Sequence, residues 1–212
     1  SPATTPTPPG PSSSPTPSAT TAGRCTYAKS AEKASRTVGI PTYVAATARQ
    51  PYTATLKTNR GDIVIQMASA QAPCTANSFK YLASKGYFAG TSCHRLTTQG
   101  IYVLQCGDPT GSGSGGPGYG FGIENAPPTG DYPAGTVAMA RTQDPNSNGS
   151  QFFLVYKDSK LPTDGGGYSV FGKVTKGLDL LQKVAAAGVS GGGGDGKPAQ
   201  AVTIQSVQIG KA

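Results

Sequence analysis

The sequence has no tryptophan and a single histidine, His94, and charged side chains make up only 13% of its 212 residues. No run of about 18 apolar residues occurs, so no membrane-spanning helix is predicted. A charged segment followed by an apolar one, the pattern of a secretory signal peptide, is also absent, and we expect either that such a segment was cleaved or that the sequence begins after it.

Several kinds of catalytic site are excluded by what is missing around the polar residues. His94 has no serine nucleophile in a Gly-x-Ser-x-Gly turn, since the nearest match reads Asn148-Gly149-Ser150-Gln151. No close acidic pair suggests glycosidase or metal chemistry. The Gly-rich segment 111–120 lacks the spacing and the Lys-Ser/Thr of a phosphate loop. We therefore expect neither metal nor cofactor.

The formal net charge of +8 arises from scattered Lys and Arg side chains rather than from a basic run. This distribution does not favour nucleic-acid binding. It is typical of a solvated basic surface, which would be weakly attracted to an anionic cell envelope.

The four cysteines contain no C-x-x-C pair, and a zinc site would need all four, or three with His94, at unusual spacings. An even number of cysteines behind a Pro/Ser/Thr-rich segment instead predicts two disulfides in an oxidising compartment. We therefore expect a secreted or cell-envelope protein, with disulfides among Cys25, Cys74, Cys93 and Cys106.

Composition divides the chain into three parts. Residues 1–23 contain only Ser, Pro, Ala, Thr and Gly, with seven prolines, and should form a disordered spacer. Such a spacer would hold a domain away from a membrane to which a removed N-terminal segment tethered it, although a plain disordered tail has the same composition. Residues 24–51 are expected to form an arm with a helical stretch near Ala28–Thr37, and residues 52–212 the functional domain.

The domain should consist mainly of short antiparallel strands. Eight segments have strand character, and two have helical spacing, Pro73–Lys85 and Gly177–Ala187. The eight are Tyr52–Lys57, Ile63–Met67, Cys93–Leu96, Tyr102–Gln105, Thr136–Ala140, Phe152–Tyr156, Val170–Val174 and Ala201–Ile209. This order predicts an all-β-dominated fold, a closed eight-stranded antiparallel β-barrel capped by two α-helices.

A hairpin centred near Gly100 would place Arg95 and Gln105 opposite each other on one face. A fixed guanidinium beside an apolar pocket suits a reaction that breaks no covalent bond. The same parity places Cys93 with Arg95 and Cys106 on the other face, which argues against a Cys93–Cys106 disulfide. A bulge in the loop would reverse that argument, so all three pairings stay open.

Five segments carry a resemblance to a known family by their order and spacing: Phe88–Arg95, Gln105–Asp108, Gly135–Ala140, Asn146–Phe153 and Val170–Val174. Together they resemble cyclophilins over about residues 52–209, and the Asn-Gly-Ser-Gln-Phe-Phe run ending at Phe153 is the most specific part. The cysteine usage and the spacer resemble envelope-exposed actinobacterial members. The resemblance implies a peptidyl-prolyl cis–trans isomerase, most simply a monomer, that acts on proline-containing polypeptides and assists the folding of exported proteins.

The resemblance also implies residue roles. Arg95 matches the family's catalytic arginine and Gln105 its partner for the substrate backbone. The implied substrate-binding residues are Tyr102, Val103, Ala140, Arg141, Gln151, Phe153, Leu161 and Tyr168. Arg141 stands where the family has Asn, and Tyr168 where many members have His.

The absence of tryptophan removes the side chain that many members carry at the rim contacted by cyclosporin, and Lys160 is the best match for that position. The altered rim and Arg141 keep an alternative open, a proline-peptide-binding module or chaperone with weak or no catalysis. A carbohydrate- or wall-binding domain is more distant, since no aromatic platform stands out beyond scattered Tyr. Considered without its motif, Arg95 would more often be an ordinary surface ion pair, and the motif reverses that interpretation.

Overall fold

The structure, a computed structural model, describes residues 20–21 and 24–212. The predicted spacer, residues 1–23, lies outside the described residues apart from Thr20–Thr21. The strands are β1 Thr20–Thr21, β2 Arg24–Cys25, β3 Ala28–Lys29, β4 Tyr52–Thr58, β5 Gly61–Met67, β6 Thr91–Ser92, β7 Arg95–Thr97, β8 Val103–Cys106, β9 Tyr119–Gly120, β10 Asp131–Tyr132, β11 Thr136–Met139, β12 Phe152–Val155, β13 Ser159–Lys160, β14 Val170–Lys176, β15 Asp195–Gly196 and β16 Thr203–Lys211. The α-helices are α1 Ala45–Ala48, α2 Pro73–Ser84 and α3 Leu178–Ala186.

The main sheet is a ten-stranded antiparallel sheet in the order β15-β7-β8-β12-β11-β14-β5-β4-β16-β6. The prediction of a closed eight-stranded barrel is wrong, because this sheet is a curled half-barrel. Its two end strands, β15 and β6, have two residues each and each pairs with a single neighbour. The chain crosses from β6 to β7 through Cys93 and His94, which belong to no ladder.

The two longer helices begin and end close to the predicted residues. Pro73 occupies the first turn of α2, where a missing N–H costs nothing. Because Ala72 offers no capping side chain, the buried carboxylate of Glu124 accepts the Thr75 N–H at 2.5 Å. Helix α2 thus receives its N-terminal cap from a distant loop.

The arm does not contain the expected helix over Ala28–Thr37. Its residues Ala28–Lys29 form β3, which pairs with Tyr119–Gly120, and the one helix in the arm, α1, begins later. Alanine-rich composition favoured a helix, but docking against the Gly-rich segment supplies backbone partners to an extended chain. Tertiary contacts therefore override local propensity here.

Two disulfides link Cys25 with Cys74 and Cys93 with Cys106. The first attaches the arm to α2. The argument against the second pairing is wrong because the chain is not a strand at residues 93–94, so face parity is not maintained from Arg95 back to Cys93. Both Cys93 and Cys106 are buried in the larger core.

Buried hydrophobic residues form two clusters on opposite sides of the curled sheet. The larger core includes Leu56, Ile65, Phe79 and Phe152. The second cluster consists of Val103, Tyr132, Ala138, Ala140, Phe153, Val155, Leu161 and Tyr168. In the part of the chain that the structure describes, no helix is long and apolar enough to cross a membrane.

Candidate active site

Arg95 and Gln105 lie directly opposite each other on β7 and β8, as predicted. On the other side of β8, Gln105 pairs with Phe153 of β12, which in turn pairs with Ala138 of β11. Directly paired residues of an antiparallel sheet share one face. A row of neighbours therefore runs from a guanidinium through an amide to an aromatic ring of the second cluster.

The amide of Gln105 is fixed from both sides. Its Oε1 lies 3.5 Å from Nη1 of Arg95, and its Nε2 donates to Oε1 of Gln151 at 2.8 Å. Gln151 then donates through Nε2 to the carbonyl oxygens of Gly113 and Gly115. Gln105 and Gln151 are buried, so this network sets the orientation of both side chains.

Asp108 holds the Gly-rich loop that receives Gln151. Its carboxylate accepts backbone N–H bonds from Thr110, Gly113 and Gly115 at 2.7–3.1 Å. Burial alone would raise the pKa of Asp108, but the hydrogen bonds from the Thr110 hydroxyl and from these amides outweigh it and lower that pKa. A methyl group at Gly115 would lie 1.9 Å from the Asp108 carboxylate, so only glycine fits there.

The second cluster, whose members are at most 3% exposed, is the candidate for the apolar part of the site. It contains five residues to which the sequence assigned substrate contacts, Val103, Ala140, Phe153, Leu161 and Tyr168. The Phe153 ring packs edge-to-face on Tyr168 with ring centroids 5.9 Å apart. These five are brought together beside the polar row, since Val103 and Gln105 are two residues apart on β8.

Tyr102 does not lie in this cluster. Its ring packs against the larger core and meets Tyr156 at 6.1 Å, with Lys157 over its face. Ile101 contacts the second cluster instead. Alternation back from Gln105 and Val103 places residue 101, not 102, on the site face, so this signal was available in the sequence.

Arg141 is 2% exposed and acts on the loop beside the cluster. Its guanidinium donates to the carbonyl oxygens of Gly167 and Thr142 at 2.9 Å, and to that of Gly165 at 3.4 Å. It also lies over the Tyr168 ring. Burial lowers the pKa of Arg141. The side chain that the sequence predicts in place of the family's Asn is thus directed into the protein and contacts a glycine-rich turn.

Asp195 is the site residue that the sequence did not reveal. Its carboxylate accepts hydrogen bonds from Nε of Arg95 at 2.9 Å and from Nη2 of Arg95 at 2.8 Å. Asp195 lies 100 residues further along the chain, after a glycine run with no motif of its own. No local pattern could have paired the two side chains.

The arm walls a cavity of about 440 Å³ next to this network. The cavity is lined by residues 28–33, by residues 114–120 of the Gly-rich loop, and by Thr142 and Gln151. Backbone bonds from Ser30 to Gly118 and from Ser35 to Gly116 hold the arm in place. The arm is therefore part of the surface around the site.

Comparison with known proteins identifies the family. Residues 53–209 match the family model described as cyclophilin type peptidyl-prolyl cis-trans isomerase. The chain is 48% identical over 207 residues to a probable peptidyl-prolyl cis-trans isomerase B of Mycobacterium tuberculosis, covering 91% of this chain and 66% of that protein. A Mycobacterium leprae protein of the same description is 46% identical, with 87% and 66% covered. The chain thus spans just under two thirds of these relatives' length.

A crystal structure of a Cryptosporidium parvum cyclophilin type isomerase superposes with a TM-score of 0.65 at 30% identity, covering 76% of this chain and 99% of that one. The same protein crystallised in the presence of the dipeptide Ala-Pro gives 0.64 at 31% identity. The region that matches the family model, residues 53–209, contains the whole row from Arg95 to Ala138. The chain belongs to the family of cyclophilin-type peptidyl-prolyl cis–trans isomerases.

Proposed function

We propose that this protein is a peptidyl-prolyl cis–trans isomerase that accelerates rotation about X–Pro bonds. The observation that carries the proposal is the row Arg95, Gln105 and Phe153 on three neighbouring strands. It places a charged hydrogen-bond donor two strands from an aromatic ring in an apolar cluster. A proline ring against Phe153 would bring its amide towards the guanidinium.

The chemistry required is the weakening of amide resonance. Rotation about a peptide bond faces a barrier of about 18–20 kcal/mol, and uncatalysed X–Pro exchange takes roughly tens to hundreds of seconds. In the twisted state the proline nitrogen becomes pyramidal and gains a lone pair. Arg95 would donate to that nitrogen or to the rotating carbonyl, and a water-excluding pocket would strengthen the bond.

The remaining residues would bind and orient the substrate. Val103, Leu161, Tyr168 and Phe153 are 0–3% exposed, so a proline ring would enter among them only by parting these side chains. The backbone at Ala140 and Arg141 would pair with the chain that precedes the proline. Gln105 would contact the substrate backbone from a fixed position, because Gln151 holds its amide. No proton, electron or chemical group is transferred, so the reaction requires no cofactor.

We further propose that the clients are proline-containing segments of exported or cell-envelope proteins, and that the protein works outside the cytoplasm as a monomer. Two disulfides, one joining the arm to α2 and one within the domain, support an oxidising compartment.

A protease-coupled assay on an Ala-Pro peptide tests the proposal. The protein should accelerate the cis-to-trans phase in proportion to its concentration, and Lys57→Ala, a surface ion-pair variant on β4, should match the unmodified protein. Peptide binding without acceleration would replace the proposal with the alternative, a proline-peptide-binding module or chaperone. If the protein showed neither peptide binding nor acceleration, both the isomerase and the binding-module hypotheses would be rejected.

A further inference from the structure

The carboxylate of Asp195 grips one edge of the Arg95 guanidinium. Nε and Nη2 each donate to a separate oxygen of Asp195, at 2.9 and 2.8 Å. This two-point contact fixes the plane of the guanidinium as well as its position. The Nη1 corner is thereby turned towards Gln105, whose Oε1 lies 3.5 Å away.

The fold holds Asp195 in place through its backbone. Strand β15 pairs with β7 so that Asp195 faces Thr97 and Gly196 faces Leu96. The preceding residues, Gly191, Gly192 and Gly193, all have positive φ angles of 78–87°, which only glycine adopts without strain. The loop thus returns the chain to the edge of β7, next to the site.

Stability alone is a weak explanation for this ion pair. The Asp195 side chain is 57% exposed and that of Arg95 is 23% exposed. Exposed pairs typically stabilise a fold by about 0–1 kcal/mol. The bidentate contact has a larger effect on the orientation of the Arg95 guanidinium. This orientation matters because a donor stabilises a transition state only when it is already directed at the reacting atoms.

We propose that Asp195 is a positioning residue, which holds the Arg95 guanidinium in the plane from which its Nη1 side meets the twisted prolyl amide. The inference rests on the proposed isomerase function. Asp195 itself would not touch the substrate, since its carboxylate is occupied by Arg95. Its loss should therefore slow turnover while peptide binding in the apolar cluster stays the same.

The test is a double-mutant cycle with Asp195→Ala and Arg95→Ala, read by isomerase assay and by peptide affinity in NMR titration. Asp195→Ala should lower kcat about tenfold, because a misplacement of about 1 Å can cost about 10²-fold and Gln105 still restrains the guanidinium. The peptide Kd should change by less than about twofold. Asp195→Asn, which keeps one acceptor oxygen for Nε, should fall between. In the Arg95→Ala background, Asp195→Ala should change the rate by less than about twofold, because the coupled interaction is already gone.

Asp62→Ala, which breaks the Lys57–Asp62 ion pair on the β4–β5 hairpin, is the matched control and should keep full activity. Full or raised activity of Asp195→Ala, or an equal loss with and without Arg95, overturns the positioning role and leaves the proposed function standing. If the unmodified protein shows no isomerase activity, the proposed function fails and this inference fails with it.

Discussion

The guanidinium carbon of Arg141 lies 4.8 Å from the centroid of the Tyr168 ring. Arg141 also donates to the carbonyl oxygens of Gly165 and Gly167, so one side chain links an aromatic member of the second cluster to the turn that precedes it. All three glycines of that turn have positive φ angles, and the turn has little side-chain packing of its own. Arg141 thus holds this turn against the second cluster through two of its carbonyl oxygens.

Replacement of Arg141 by Lys should lower the free energy of unfolding by about 1–3 kcal/mol, because the buried Gly167 carbonyl and two partly buried carbonyls lose their donors and an ammonium lacks the planar fork. Denaturant unfolding measures this. Arg60→Lys is the control, since Arg60 is exposed and its Nε donates to one carbonyl; its effect should stay within about 0.5 kcal/mol. Equal losses in the two variants would contradict the role given to Arg141.

His94 should make stability depend on pH. Burial lowers the pKa of His94 below its ordinary 6.5, so the unfolded chain takes up a proton before the folded one does. The stabilisation is present above pH 6.5 and is lost as the pH falls towards the folded pKa.

Urea unfolding at several pH values from 7.5 to 5 should therefore show a decreasing free energy of unfolding, with a flatter profile in His94→Gln. The variant is needed because burial raises the pKa of Glu124. Protonation of Glu124 therefore raises the free energy of unfolding as the pH falls, opposite to the effect of His94. Since His94 is the only histidine, a profile unchanged by the substitution would disprove the assignment.

The unfolded, unreduced protein should contain no free thiol, and peptide mapping should recover the pairs Cys25–Cys74 and Cys93–Cys106. The arm disulfide spans 49 residues, for which the chain-entropy relation gives about 4 kcal/mol. Unfolding of the Cys25→Ala/Cys74→Ala double variant measures that loss. A different pairing, or a loss below about 1 kcal/mol, would contradict this account of the arm.

Cyclosporin should inhibit the protein weakly. The rim position matched to the missing tryptophan is Lys160, whose side chain is 75% exposed and which precedes Leu161 of the second cluster. Lys160→Trp should tighten inhibition about tenfold, equivalent to about 1.4 kcal/mol, because an indole restores an apolar face and an N–H donor.

Lys157→Trp is the matched control for the rim, because Lys157 lies over the Tyr102 ring, on the side of the larger core. It should leave inhibition unchanged. Tight inhibition of the unmodified protein, or equal gains in the two variants, would show that Lys160 does not occupy the rim.

Much of the fold was readable from local patterns. The facing pair Arg95 and Gln105 followed from strand alternation around Gly100, and both longer helices followed from Pro73 and the spacing of Leu178, Leu181 and Val184. These features depend on residues that are near one another along the chain. Strand alternation also indicates which residues of β8 face the site. The prediction that Tyr102 binds substrate ignored this alternation.

Features that depend on distant contacts were missed. The half-barrel is open because its two end strands, β15 and β6, do not pair with each other. The Cys93–Cys106 bond is possible because residues 93–94 interrupt the strand between β6 and β7. The Arg95–Asp195 contact joins residues 100 positions apart. Neither alternation nor helical spacing carries information about such contacts.

The central claim is that Arg95 lowers the rotation barrier rather than binds the peptide. Exchange NMR on an Ala-Pro peptide, with unmodified protein and Arg95→Ala at equal occupancy, tests it most directly. Loss of one preorganised donor should slow exchange by about 10²–10³-fold, while Arg95→Lys recovers little because it lacks the planar fork. Equal exchange rates for the unmodified protein and Arg95→Ala would contradict the account.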